Sequence, residues 1–143
     1  MYKRGQMKLS FGMIFSIFLI IVFIAFAFYA ISKFINLQKG IQIEQFVDNL
    51  QQDVKKVWLS SKSSQEETYS LPDNIDSICF RNNEFNNLIF RSSKFVDSRN
   101  IKYLDILKIT AGGEDPYCIN NIDGKVKLSL KKDFGETLVT ITR

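Results

Sequence analysis

The sequence predicts an α+β protein in which a long N-terminal helix, half transmembrane and half amphipathic, packs on a small antiparallel β-sheet. Residues 11–31 are uncharged and almost entirely apolar, and residues 34–58 repeat apolar side chains at helical spacing. Residues 75–143 contain short runs typical of strands, separated by turn formers. A helix with one apolar face needs a second layer to cover, and the sheet supplies it.

Four segments follow from these patterns. They are a short basic cytoplasmic leader at 1–10, a transmembrane helix at 11–32, an amphipathic helix continuing outside at 33–60 and an extracytoplasmic antiparallel β domain at 61–143.

The apolar segment is long enough to cross a bilayer. Residues 11–31 form 21 consecutive uncharged positions. A helix rises about 1.5 Å per residue, so this length spans about 30 Å, the thickness of the hydrocarbon core. The lipid membrane is therefore the first expected partner.

Charge predicts the orientation of the span. Residues 1–33 contain four Lys or Arg and no acid, whereas the rest of the chain is neutral, with 15 Lys and Arg against 15 Asp and Glu. Positive charge stays in the cytoplasm, so we expect a single-pass cell-membrane protein with residues 34–143 outside. The neutral remainder shows no basic stripe, which argues against nucleic acid as a partner.

A cleaved secretory signal is the competing interpretation of the same segment. Residues 25–27 read AFA, the small-residue spacing that signal peptidase prefers. The apolar run exceeds the usual 7–15 residues, and Phe26, Phe28 and Tyr29 crowd that cleavage site. A retained span is the favoured interpretation.

The residues in front of the span carry a family resemblance. Lys3, Arg4, Gly5 and Gln6, followed by the apolar helix, resemble the class III signal peptide of archaeal type IV pilins and pilin-like proteins. The resemblance implies cleavage between Gly5 and Gln6, with the helix retained. Many members carry a glutamate where this chain has Ser10, which counts against a major pilin and leaves room for a non-polymerising relative.

The resemblance implies a non-enzymatic subunit of a cell-surface filament or of its assembly machinery. The N-terminal helix would then pack with other copies or with other pilin-like subunits. The alternative is an uncut single-pass protein whose external β domain is a binding or scaffold module, in which an open sheet edge accepts a partner strand.

Beyond the span, one apolar stripe predicts a helix that packs on the external domain. The stripe consists of Phe34, Leu37, Ile41, Phe46, Leu50, Val54, Val57 and Trp58. It could also serve as a partner groove. Gly40 is a candidate break between two helices, and residues 60–68 (SSKSSQEET) read as a polar loop.

The strands are expected in two hairpins and a final strand. Residues 75–81 and 87–92 should pair across a turn rich in asparagine. Asp123-Gly124 is the strongest hairpin signal, and a period-two strand follows it. After a second turn, residues 137–143 should form the last strand, with Leu138 or Val139 and Ile141 inward. Residues 100–110 fit either element, and we predict a strand over 103–110.

The two cysteines are candidates for a disulfide. Cys79 and Cys118 each lie in a predicted strand, and an extracytoplasmic location permits the bond. Two buried thiols are the alternative.

No residue pattern supports catalysis, a cofactor or a small-molecule substrate. The chain has no histidine, which removes the usual base of a nucleophile system and the commonest metal ligand besides cysteine. The acidic pairs Glu66-Glu67 and Glu114-Asp115 are adjacent in sequence, which suits solvated turns better than an acid–base site or a calcium loop.

Overall fold

A computed structural model describes residues 10–143 as a long helix and seven strands with one short helix among them. The α+β fold and the long N-terminal helix packed on antiparallel sheet are confirmed. The elements in chain order are α1 (Phe11–Leu59), β1 (Ser63–Ser70), β2 (Ser77–Phe80), β3 (Leu88–Arg91), β4 (Val96–Arg99), α2 (Ile106–Thr110), β5 (Tyr117–Asn120), β6 (Lys125–Lys132) and β7 (Thr140–Thr142).

The chain divides into two compact units at Gln38 and Lys39. All strands and the C-terminal part of α1 belong to the second unit. Helix α1 includes Gly40, so the helix does not end at that glycine as the two-helix alternative required.

The buried stripe of α1 begins later than the sequence indicated. Its buried residues are Ile43, Phe46, Leu50, Val54 and Val57, at steps of three and four. Phe34, Leu37 and Ile41, which were predicted to belong to the stripe, are exposed. Helical spacing alone cannot show where along a helix the covering sheet begins, which explains the difference.

The strands form two sheets rather than one. The first has three strands in the order β1-β6-β7, and the second has four in the order β4-β3-β2-β5. All strand pairs within the sheets are antiparallel, as expected. The hairpin of β2 and β3 is confirmed, with Cys79 opposite Ile89.

The prediction of a polar loop over residues 60–68 was wrong, because most of it lies in strand β1. Tyr69 pairs with Val126 and Glu67 with Leu128 along β6. Burial alternates along β1, with Tyr69 buried and its neighbours exposed. The polar composition of β1 resembles that of a loop, and the segment forms a strand because it pairs with β6.

The turn at Asp123-Gly124 forms, but the hairpin around it does not extend. Asp123 and Gly124 have φ of 52° and 72°, and two backbone hydrogen bonds join Ile122 to Lys125. Both central residues have positive φ, as a type I′ turn requires. Strand β5 then pairs with β2 and β6 with β1, so the chain changes sheet at this turn.

The expected strand over 103–110 is also wrong, because residues 106–110 form helix α2. The Asp105 side chain accepts a hydrogen bond from the Lys108 backbone N–H at 3.0 Å and caps the helix. Tyr103, at a φ of 70°, turns the chain before the cap. The helical spacing of the apolar residues was the correct signal, and the capping aspartate reinforces it.

One aromatic residue joins the helix to both sheets. The Phe46 ring lies 5.3 Å from the Tyr69 ring of the first sheet and 5.6 Å from the Phe90 ring of the second, in edge-to-face geometry. Val139 and Ile141 are buried as predicted for the last strand, whereas Leu138 is partly exposed. The core of the second unit is therefore shared by α1 and both sheets.

Candidate functional site

The N-terminal part of α1 is apolar and exposed on every side. No residue between Phe11 and Gln38 is buried, and this region contains one stretch long and apolar enough to cross a membrane. The helix of a soluble core would be covered by its own chain. An uncovered apolar helix of this length is typical of a segment that lies in lipid or packs with other helices.

The polar groups of this segment are arranged as a lipid environment requires. The Ser16 and Ser32 hydroxyls donate to the carbonyl oxygens of Gly12 and Phe28, four residues earlier, at 2.8 and 2.9 Å. These bonds satisfy the two serine hydroxyl donors within the helix, as an apolar medium requires. The Lys33 ammonium lies 5.7 Å from the centre of the Tyr29 ring. A cation and an aromatic ring together are typical of the membrane–water interface.

The predicted processing residues, Gly5 and Gln6, lie outside the described residues. The two cysteines lie within them. Cys79 and Cys118 face each other in the register of β2 and β5, with Cα atoms 4.0 Å apart. Their sulfur atoms are joined at 2.06 Å, so a disulfide crosslinks the two strands.

A groove that the sequence did not reveal runs between α1 and strand β1. Two adjoining cavities of about 330 and 240 Å³ form it, and Asn49, Thr68 and Tyr69 line both. One wall is the polar face of α1, which presents Gln42, Gln45, Asn49, Gln52, Asp53 and Lys56. The other wall is strand β1, the edge of its sheet.

The floor of this groove holds one buried hydroxyl and two carboxylates. The Tyr69 hydroxyl donates to the Asp53 carboxylate at 2.9 Å, and the Lys56 ammonium pairs with the other oxygen of Asp53 at 3.0 Å. Burial, followed by the hydrogen bond to Asp53, raises the pKa of Tyr69 far above its usual range. Glu67 is half-buried beside them and has no ion-pair partner among residues 10–143.

In each of the adjacent acidic pairs, Glu66-Glu67 and Glu114-Asp115, one residue forms an ion pair with a basic side chain. Glu66 pairs with Lys127 at 2.7 Å, and the hydrogen bond from Lys127 lowers the pKa of Glu66. Glu114 lies 3.8 Å from Arg143. Within the described part of the chain, no group of three or more His, Cys, Asp or Glu is placed to hold a metal ion.

A cavity of about 540 Å³ beside α2 is lined by amide side chains that serve the fold. Asn87 is buried, and its side chain makes two hydrogen bonds to the backbone of Ile101, at 2.7 and 2.8 Å. Asn83 accepts from two backbone N–H groups of its own turn, and Asp105 caps α2. These contacts hold the loops around the cavity in place.

Comparison with protein-family models, with curated proteins and with solved structures finds no match for this chain. The arguments about its function therefore rest on its own residues.

Proposed function

We propose that the chain is a non-enzymatic, membrane-anchored subunit of pilin-like or pseudopilin-like type, used in a cell-surface filament or its assembly machinery. The observation that carries the proposal is the exposed apolar segment of α1, from Phe11 to Ile31, with a basic flank before it. The sequence KRGQ at residues 3–6 supports processing between Gly5 and Gln6 with retention of the helix.

The phenylalanines of the segment supply the surface for assembly. Phe11, Phe15, Phe18, Phe23, Phe26 and Phe28 are all exposed. Aromatic side chains bury large areas when helices pack together. In this proposal the helix first anchors the subunit in lipid and then exchanges lipid for neighbouring helices, because every face of the segment is available for contact.

The absence of histidine from the sequence supports a non-enzymatic role. The basic residues before the span support a cytoplasmic N-terminus, with residues 34–143 on the outer side. The disulfide of Cys79 and Cys118 agrees with an oxidising outer location.

Intact-mass spectrometry on protein purified from its native membrane tests the proposal. We expect a chain that begins at Gln6. A Gly5→Val variant should keep the full-length mass, because the residue before the cut has changed, whereas a Gly12→Val control should be processed normally. A full-length wild-type chain would reject the processed-pilin role and leave a permanent anchor. A start near Phe28 would identify a secretory signal instead.

A further inference from the structure

Strand β1 is an open sheet edge whose only charged residues are acidic. It is the outer strand of the sheet with the order β1-β6-β7. Both β1 and β6 have eight residues, more than the other strands of residues 10–143. Protected edges usually carry proline, charged side chains or a bulge. The sequence of β1, SSQEETYS, contains neither proline nor lysine, its pairing with β6 runs without interruption from Ser63 to Ser70, and its only charges are the carboxylates of Glu66 and Glu67.

The register shows which backbone groups of β1 remain available. The Leu71 N–H donates to the Gly124 carbonyl oxygen at 2.9 Å, so Leu71 points its backbone groups toward β6. Backbone groups alternate in direction along an antiparallel strand. Ser64, Glu66, Thr68 and Ser70 therefore direct their N–H and C=O groups away from β6, along the outer edge of the sheet.

The α1/β1 groove provides room for a strand beside this edge. Its two cavities follow β1 from Glu67 to Ser70, and the facing wall of α1 offers amide side chains that both donate and accept hydrogen bonds. An extended peptide placed here would pair with the outward groups of β1 and contact α1 with alternate side chains.

The charges of the groove favour a basic occupant. Asp53 is neutralised by Lys56, but Glu67 has no cationic partner within residues 10–143. A half-buried carboxylate favours a nearby positive charge, and like charges repel it. An incoming strand with Lys or Arg at the position opposite Glu67 would satisfy this need.

We propose that the α1/β1 groove is a strand-addition site for an extended, basic segment of a partner protein. The segment pairs with the outer edge of β1, and its Lys or Arg side chain contacts Glu67. The site lies wholly in the unit that begins at Lys39, so it does not depend on whether the leader is cut.

Selection from a phage library of random twelve-residue peptides tests the proposal, with the full-length chain in lipid nanodiscs as bait. We expect the enriched peptides to lack proline at alternate positions and to carry Lys or Arg. Each enriched peptide is then synthesised, and its dissociation constant is measured against the wild-type chain and its variants.

Thr68→Pro is the decisive variant because it removes an outward N–H and leaves the β1–β6 hydrogen bonds in place. Binding should weaken at least tenfold. Asn120→Pro is the matched control, because the Asn120 N–H points to the free edge of β5. The neighbouring Asn121 N–H donates to the Asp76 carbonyl oxygen, and backbone groups alternate in direction along a strand. Binding to Asn120→Pro should stay within twofold, and circular dichroism confirms that both variants fold.

Two further variants test the groove without altering β1 backbone chemistry. Asn49→Trp fills the groove at an exposed helix position and should weaken binding at least tenfold, whereas Lys55→Trp, outside the groove, should not. Glu67→Gln should weaken binding about fivefold. The absence of enriched peptides, or binding insensitive to Thr68→Pro and Asn49→Trp, would overturn the proposal. Self-association abolished by Thr68→Pro would overturn it in favour of a second copy as occupant.

Discussion

Phe46 packs against both sheets of the second unit. Its ring is almost fully buried and contacts aromatic rings in both sheets. The sequence placed Phe46 correctly on the buried stripe of the helix, because helical spacing is a local signal. Its two partners could not be predicted, since which rings meet depends on strand order, which is not encoded locally.

Replacement of Phe46 by alanine should lower the free energy of unfolding by about 3–5 kcal/mol, because it removes a large buried ring and leaves a cavity. Urea unfolding of the full chain in nanodiscs measures this change, with Trp58, the single tryptophan, as the fluorescent probe. Phe85→Ala is the control, since that ring is largely exposed and its loss should change stability by less than about 0.5 kcal/mol. Equal effects would contradict the packing described.

Tyr69 should lose its proton in the folded chain only at a pH above the usual pKa of tyrosine. Burial and Asp53 raise its pKa, and an unfolded tyrosine titrates near pH 10, so folding keeps a proton that the unfolded chain loses. This contribution to stability is complete below about pH 10 and is lost as the pH rises above it. Absorbance at 295 nm should show the same tyrosinate increment for the wild type and for Tyr69→Phe until unfolding. An extra tyrosine titrating in the folded wild type would refute this expectation.

At the scale of single elements, sequence reasoning succeeded where the signal was local and failed where pairing decided the outcome. The Asp123-Gly124 turn formed because its backbone preference belongs to the two residues themselves. Strand β1 was missed because its residues, SSQEETYS, have a loop-like composition and become a strand through β6. The α1/β1 groove was missed for the same reason, because it can be recognised only when β1 is known to be an edge strand.

The disulfide between β2 and β5 closes a loop between residues separated by 39 positions. In the chain-entropy model such a crosslink stabilises by about 4 kcal/mol. The double variant Cys79→Ala/Cys118→Ala should therefore unfold at a lower urea concentration than the wild type. Mass spectrometry of the unreduced wild type should give a mass about 2 Da below that of the dithiol form. A mass equal to that of the reduced chain would show that the thiols are free in the cell.

At the scale of the whole molecule, the sequence clearly indicated the candidate membrane span. A run of uncharged residues of this length can be identified directly from the sequence, without knowledge of tertiary contacts. The division of the strands between two sheets was not recoverable, because a polypeptide can continue a hairpin or change sheet at the same type of turn. Here the chain changes sheet between Asn120 and Lys125.

Orientation should be visible in chemical labelling of intact cells. In the proposed orientation, a membrane-impermeant amine reagent should modify the exposed Lys125 and Lys131 and should spare Lys8 until the cells are permeabilised. Peptide mass spectrometry locates the labels, and the permeabilised sample shows that Lys8 can react. Labelling of Lys8 in intact cells would reverse the orientation.

The pairing of β1 with β6 also limits the order in which the two sheets can form. Ser70 meets Lys125 and Ser63 meets Lys132, so the first sheet closes only when nearly the entire chain has emerged. Contacts between residues far apart in sequence form slowly. Until β6 is available, β1 is therefore an unpaired and solvated polar segment. The hydrophilic composition of SSQEETYS opposes aggregation of this unpaired segment. Its low hydrophobicity and the adjacent negative charges of Glu66 and Glu67 disfavour association between unfinished chains.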